Sequence, residues 1–146
     1  MPHEGSATPV PPIVPFLSYE DVGAAMAWLR EAFGFEERFR ITEPDGEVTH
    51  GEMQLDGGVI FLGPGGPQYE GPRRHAESCE AAARWLDTPY VVDGVYSVVA
   101  DVDAHHRRAL AAGAKVLSEP EDSHHGDRIY RVEDLGGHRW MFATPL

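Results

Sequence analysis

His50, Glu52 and Gln54 occupy alternate positions of the segment VTHGEMQL. Successive side chains of an extended strand point to opposite faces, so these three share one face and Met53 and Leu55 share the other. A histidine and a glutamate two apart on a strand reach toward the same point, which suits proton transfer or ion binding. The same pair equally suits a structural histidine hydrogen-bonded to a carboxylate. The other histidines read as less informative. His105 and His106 lie on an amphipathic helical segment and are expected to be solvated. His124 and His125 precede Gly126 in a turn, His138 follows a pair of turn glycines, His3 is in the N-terminal tail, and His75 is in a loop-rich stretch. No spacing argues for a Ser-His-Asp or Cys-His arrangement or for a phosphate-cradling glycine loop. No catalytic residue is therefore assigned.

Composition narrows the partners. The chain has 146 residues, enough for one domain with one core. Twelve Lys and Arg against 24 Asp and Glu give a net charge of −12. That balance repels phosphate backbones and anionic membranes, so neither nucleic acid nor membrane is expected as a partner. No apolar run approaches the roughly 18 residues of a membrane span. The opening MPHEGSATPVPP lacks the basic and apolar regions of a secretory signal, and residues 1–12 read as a disordered tail. The lone Cys79 cannot form an intramolecular disulfide. These features read together as a cytoplasmic protein.

The elements that position the polar trio come in two similar sets. The first runs over residues 13–63. IVPFLSY reads as a strand, and Asp21 as the cap of a helix over Asp21–Phe33 with apolar residues at helical spacing. FEERFRIT, VTHGEMQL and VIFL follow as strands, with Asp56-Gly57-Gly58 as a hairpin turn. The second set spans residues 94–146. VYSVVA is a strand, Asp101–Ala112 a helix, and KVLSEPED, RIYRVED and HRWMFAT are strands, with Leu135-Gly136-Gly137 as the turn. Asp21-Val22 and Asp101-Val102 lie 80 residues apart, and the two Gly-Gly pairs 79 apart. The expected fold is α+β, with two βαβββ modules in tandem forming a shared cleft. One helix covers one face of each sheet, and the bare faces would curl together. Trp28, Leu29, Phe33, Leu110, Trp140 and Phe142 are expected in the core.

Between the modules, residues 64–93 form an insertion. It begins GPGGPQYEGPRR and continues HAESCEAAARWLDTP. A short helix is expected near Glu77–Leu86, with Trp85 packed on the body, because a long structureless loop is uncommon in a compact domain. The insertion reads either as a connector covering a sheet edge or as a lid over the cleft.

Phe16-Leu-Ser-Tyr-Glu-Asp21, the helix with Trp28-Leu29 and the closing Phe33-Gly34-Phe35 resemble the opening module of the vicinal oxygen chelate superfamily of glyoxalases, bleomycin-resistance proteins and extradiol dioxygenases. Asp101-Val102-Asp103, Ala111-Ala112-Gly113-Ala114, and the stretch from Gly126-Asp127-Arg128 to Arg139-Trp140 resemble its second. The resemblance covers about residues 13–144 apart from the insertion. It implies a homodimer and a small-molecule ligand. In the metal enzymes of this superfamily the ligand positions would fall here on Val14, Gly94, Met141, and Phe61 or Leu62. Aliphatic and aromatic side chains offer no donor, and a thioether is a soft ligand, so no metal and no cofactor are expected.

The cleft lining follows from alternation and the repeat. His50, Glu52 and Gln54 map onto Ile129, Arg131 and Glu133. Arg139 and Met141 share a face of the last strand, and Phe16 and Tyr96 face inward by the same counting. The expected ligand-binding set is Phe16, His50, Glu52, Gln54, Tyr96, Arg131, Arg139 and Met141, with Glu52 paired to Arg131 or Arg139. Three functions compete. The first is a metal-independent small-molecule binding protein. The second is an enzyme, a lyase, isomerase or dioxygenase, using His50 and Glu52 as an acid–base pair or as metal ligands, with His138 as a third. The third is a module that mainly associates with another chain.

Overall fold

The computed structural model describes residues 9–87 and 93–146; residues 1–8 of the expected tail lie outside them. In chain order the elements are β1 (Phe16–Ser18), α1 (Val22–Phe33), β2 (Glu36–Thr42), β3 (Val48–Leu55), β4 (Gly58–Gly63), α2 (Pro72–Ser78), α3 (Glu80–Leu86), β5 (Gly94–Val98), α4 (Val102–Ala111), β6 (Lys115–Asp122), β7 (Asp127–Glu133) and β8 (Arg139–Pro145). Two four-stranded sheets result, ordered β1-β4-β3-β2 and β5-β8-β7-β6. The first strand of each lies parallel to the last, and the other pairs are antiparallel. This is the expected pair of βαβββ modules.

The helix starts follow from their caps. The side chains of Asp21 and Asp101 accept the backbone N–H groups of Ala24 and Ala104 at 3.0 and 3.1 Å. Each satisfies one donor that a first helical turn leaves unpaired. Helix α1 ends at Gly34, whose φ of 84° is the left-handed conformation that glycine adopts without a side-chain clash.

The two hairpins differ by one residue. Asp56 and Gly57 form a two-residue turn, both with positive φ, at 47° and 86°. Leu135-Gly136-Gly137 is a three-residue turn closed by Asp134 N–H donating to the His138 carbonyl at 2.9 Å. The repeat offset therefore grows across the turn: Glu52 corresponds to Arg131, 79 residues on, but Phe61 corresponds to Met141, 80 on. Phe61 and Met141 also sit opposite Phe16 and Tyr96 on the first strands. Phe61, not Leu62, is thus the counterpart of Met141.

One core serves both modules. Phe33 at the end of α1 sits 5.4 Å from Trp140 and 4.8 Å from Phe142, ring centre to ring centre. Leu29, Phe33, Trp140 and Phe142 are fully buried, as their spacing predicts. Trp28 is partly buried, edge-on to Phe33. Leu110 departs from expectation and is 54% exposed. Helix α4 buries Val102 and Ala109, seven residues apart, and Leu110 lies about 100° round the helix from Ala109.

His105 also departs from its expected solvated position. Its Nε2 lies 2.8 Å from the Phe33 carbonyl and its ring centre 4.0 Å from that of Phe142. Arg108, one turn on, donates to the carbonyls of Glu31 and Arg30. Helix α4 thereby caps the carbonyl end of α1 with a cation.

The insertion forms two short helices where one was expected. Neither α2 nor α3 buries a residue, and Trp85 is 52% exposed instead of packed on the body.

Candidate functional site

The predicted residues form two cross-strand rows. In the first sheet the register runs Phe16, Phe61, Glu52, Phe39; in the second it runs Tyr96, Met141, Arg131, Ser118. Register partners put their side chains on the same face. The rows occupy equivalent places in the two modules and carry opposite charges at Glu52 and Arg131.

The first row contains a buried acid. Glu52 is 4% exposed. His50 Nε2 lies 2.9 Å from its Oε2, and Arg38 Nη1 lies 3.5 Å from its Oε1. Arg38 also donates to the Pro9 carbonyl at 3.2 Å. The partners of Glu52 are thus neighbours on its own sheet, where pairing with Arg131 or Arg139 was expected. Bulges in β2 around Glu37–Phe39 let Arg38 reach in. The ring of His50 meets Phe61 edge-on at 5.1 Å. Gln54 lies apart, in a shallow polar recess beside Glu36 and Asp56.

In the second row, the hydroxyl of Tyr96 donates to Asp127 at 2.5 Å. That bond, with burial and the negative charge, raises the Tyr96 pKa. Arg139 approaches Glu133, which is fully buried, at 3.5 Å and donates to the carbonyl of Leu86 at the end of α3.

A hollow of about 630 Å³ opens where the start of β8 meets the end of β1 beneath the insertion. Phe16 and Arg139, from the predicted set, line it together with Tyr69, Trp85, Leu86 and His138. His50, Glu52, Gln54, Tyr96, Arg131 and Met141 are not among its lining. The roof is pinned by polar contacts. Arg73 donates to Glu133 at 3.2 Å and to the Asp134 carbonyl at 2.8 Å. The Tyr69 hydroxyl donates to the Ser18 carbonyl at 2.9 Å, and Glu20 accepts from Gly71 N–H and from Arg74. Glu133 carries the strand alternation of Arg131 and the repeat position of Gln54, and those two signals make it findable. Arg73, Tyr69 and Trp85 lie in the insertion, for which the repeat supplies no counterpart.

Below the hollow, Asp134 joins the modules. It is fully buried and accepts from the Tyr19 hydroxyl at 2.6 Å, Trp140 Nε1 at 3.0 Å, Gly136 N–H at 2.9 Å and His138 N–H at 3.0 Å. Burial and the neighbouring carboxylate hold the Tyr19 pKa well above its ordinary value, so Tyr19 stays a donor. His138 Nε2 lies 2.6 Å from the Ser18 carbonyl. Among the described residues no three of His, Cys, Asp and Glu gather as a metal site would need. His50, Glu52 and His138 therefore do not converge on one ion.

Two βαβββ modules whose register-matched rows face away from a shared helical core define a class of fold, and the comparisons place the chain in it. The chain belongs to the Glyoxalase/Bleomycin resistance protein/Dioxygenase superfamily, whose family model matches residues 13–142. Uncharacterized protein Mb0911c of Mycobacterium bovis is 32% identical over 136 residues, covering 93% of this chain and 84% of that one. Uncharacterized protein Rv0887c of Mycobacterium tuberculosis is also 32% identical over 136 residues, covering 93% and 75%. Among solved structures, TioX from Micromonospora sp. ML1 is 31% identical with a TM-score of 0.68, covering 92% of this chain and 98% of that one. The fosfomycin resistance protein FosX from Listeria monocytogenes shares the fold at 14% identity, with a TM-score of 0.62 and coverage of 95% and 96%.

Proposed function

We propose that the chain is a small-molecule binding protein of the glyoxalase/bleomycin-resistance type that holds its ligand without a metal ion. The hollow beneath the insertion carries this reading. Its volume of about 630 Å³ falls within the range of ligand pockets, and it combines aromatic walls with a few polar groups. The metal positions of the superfamily's enzymes correspond to Val14, Gly94, Phe61 and Met141, whose side chains do not fit a divalent ion. Cytoplasmic residence fits a single cysteine, and among the described residues no helix is long and apolar enough to cross a membrane. A homodimer fits the exposure of Tyr96 and Val98 on the first strand of the second sheet.

The test begins with untagged protein. Bound metal is measured, Zn²⁺ and Ni²⁺ are titrated by calorimetry, and antibiotics and metabolites are screened by thermal shift. Stabilising ligands whose effect is lost in Trp85→Ala, with no tight metal site, are expected. A tight site at one ion per chain that disappears in His50→Ala would replace this reading with a second one. That second reading is an acid–base or metal-dependent enzyme, and the buried Glu52 bonded to His50 and Arg38 is the observation that favours it.

A further inference from the structure

The hollow has aromatic walls and an acidic mouth. Phe16 and Trp85, 59% and 52% exposed, line the same space, and Tyr69 supplies a third ring. Large ring surfaces left open under a roof that buries nothing of its own are surfaces awaiting a guest. The charges of the lining are unequal in their freedom. Arg139 is 9% exposed and faces the Leu86 carbonyl and the buried Glu133, an acid it shares with Arg73 and Lys115. Arg74, near the rim, is held by Glu20 at 2.6 Å. His138 is engaged with the Ser18 carbonyl. Glu70 and Asp93 are exposed lining residues, and the whole chain carries a charge of −12.

Ring faces are electron-rich and attract a cation placed over them, more strongly when water is displaced. The field of an acidic chain concentrates cations at such a mouth and repels anions. A neutral flat molecule gains the apolar contact alone, and an anionic one meets Glu70, Asp93 and the negative field. We propose that the hollow selects flat, apolar organic cations, with Trp85 and Phe16 as the ring contacts and Glu70 and Asp93 as the charge filter. This selectivity rests on the reading that the hollow is the ligand site, and it goes beyond it by naming the ligand class.

Three probes of one shape separate the two claims. N-methylacridinium is the cation, acridine the neutral form, and acridine-9-carboxylate the anion, each titrated by calorimetry at pH 8. The expected order is cation, then neutral, then anion, with about a tenfold advantage of the cation over the neutral probe. Glu70→Gln with Asp93→Asn should narrow the ratio between cation and anion, and added salt should narrow it further. Trp85→Ala should weaken the cation, with folding monitored by thermal melting. If acridine binds as tightly as N-methylacridinium, or the double substitution leaves the ratio between cation and anion unchanged, the charge selectivity is overturned while the ligand site stands. If none of the three binds, or binding is indifferent to Trp85→Ala and Phe16→Ala, the site itself is overturned.

Discussion

His105 shows what one side chain contributes when its partners come from both halves of the chain. A backbone carbonyl only accepts, so the contact at 2.8 Å from Phe33 requires the proton on Nε2. Nδ1 is then the acceptor for the Tyr130 hydroxyl at 2.6 Å. The ring is thus fixed in one neutral tautomer. Burial, the largest influence, lowers its pKa, and Arg108 acts in the same direction. A histidine whose folded pKa is depressed stabilises the fold fully above its unfolded value of about 6.5 and loses that contribution as the pH falls below it. Denaturant unfolding between pH 8 and 5 should show wild type losing stability on the acid side more steeply than His105→Gln. Truncation to Ala opens a gap beside Phe142 and strips Tyr130 of its acceptor, at a cost of about 2–4 kcal/mol. Trp140, 1% exposed and bonded to Asp134, should cost about 3–5 kcal/mol when truncated to Ala, measured the same way. The Trp140 position was legible from strand alternation. That of His105 was not, because helical periodicity separates a polar face from an apolar one but does not mark where a second helix crosses.

At the scale of elements, the insertion is held on by arginines and hydroxyls, not by packing. Arg73 reaches Glu133, Arg139 reaches back to Leu86, and neither α2 nor α3 buries a residue. Elements with few buried apolar contacts open at low free energy. Deleting residues 65–74 should therefore change ligand affinity more than melting temperature; equal losses in both would favour a plain connector. Arg73→Ala should act in the same direction more mildly, since Glu133 keeps its approach to Arg139 at 3.5 Å. Composition pointed to helix near Glu77–Leu86, and α3 lies there. It could not place Trp85, because a tryptophan near a helix end looks the same whether it meets a core or an open hollow. Leu110 was misplaced for a related reason: in a helix whose buried positions are Val102 and Ala109, size does not report which face is inward.

For the whole molecule, the repeat was the most readable feature, since caps, helices and glycine turns recur at nearly constant offset. The register ambiguity at Phe61 and Leu62 arose from adjacent glycines that admit turns of two lengths, and only strand pairing resolves it. The rows of predicted site residues lie on separate sheets, and alternation alone does not reveal how two sheets are turned relative to each other. If association covers the first strand of the second sheet, Val98→Arg with Tyr96→Arg should convert a dimer to a monomer in sedimentation velocity, with circular dichroism unchanged; a wild-type monomer would refute this.

The join at Tyr19 and Asp134 bears on how freely the two halves can be exchanged. By the repeat offsets, Tyr19 corresponds to Val99 and Asp134 to Leu55, and Leu55 and Val99 both line one small recess on the opposite junction. At these matched positions one seam therefore carries a phenol and a carboxylate, and the other two aliphatic side chains. A chain assembled from two copies of residues 13–63 would set Tyr19 against Leu55 and bury a phenol with no acceptor. Two copies of residues 94–146 would set Val99 against Asp134 and bury a carboxylate short of a donor. The halves have become lock and key, and a gene that duplicated either one alone would encode a poorer fold than the mismatched pair.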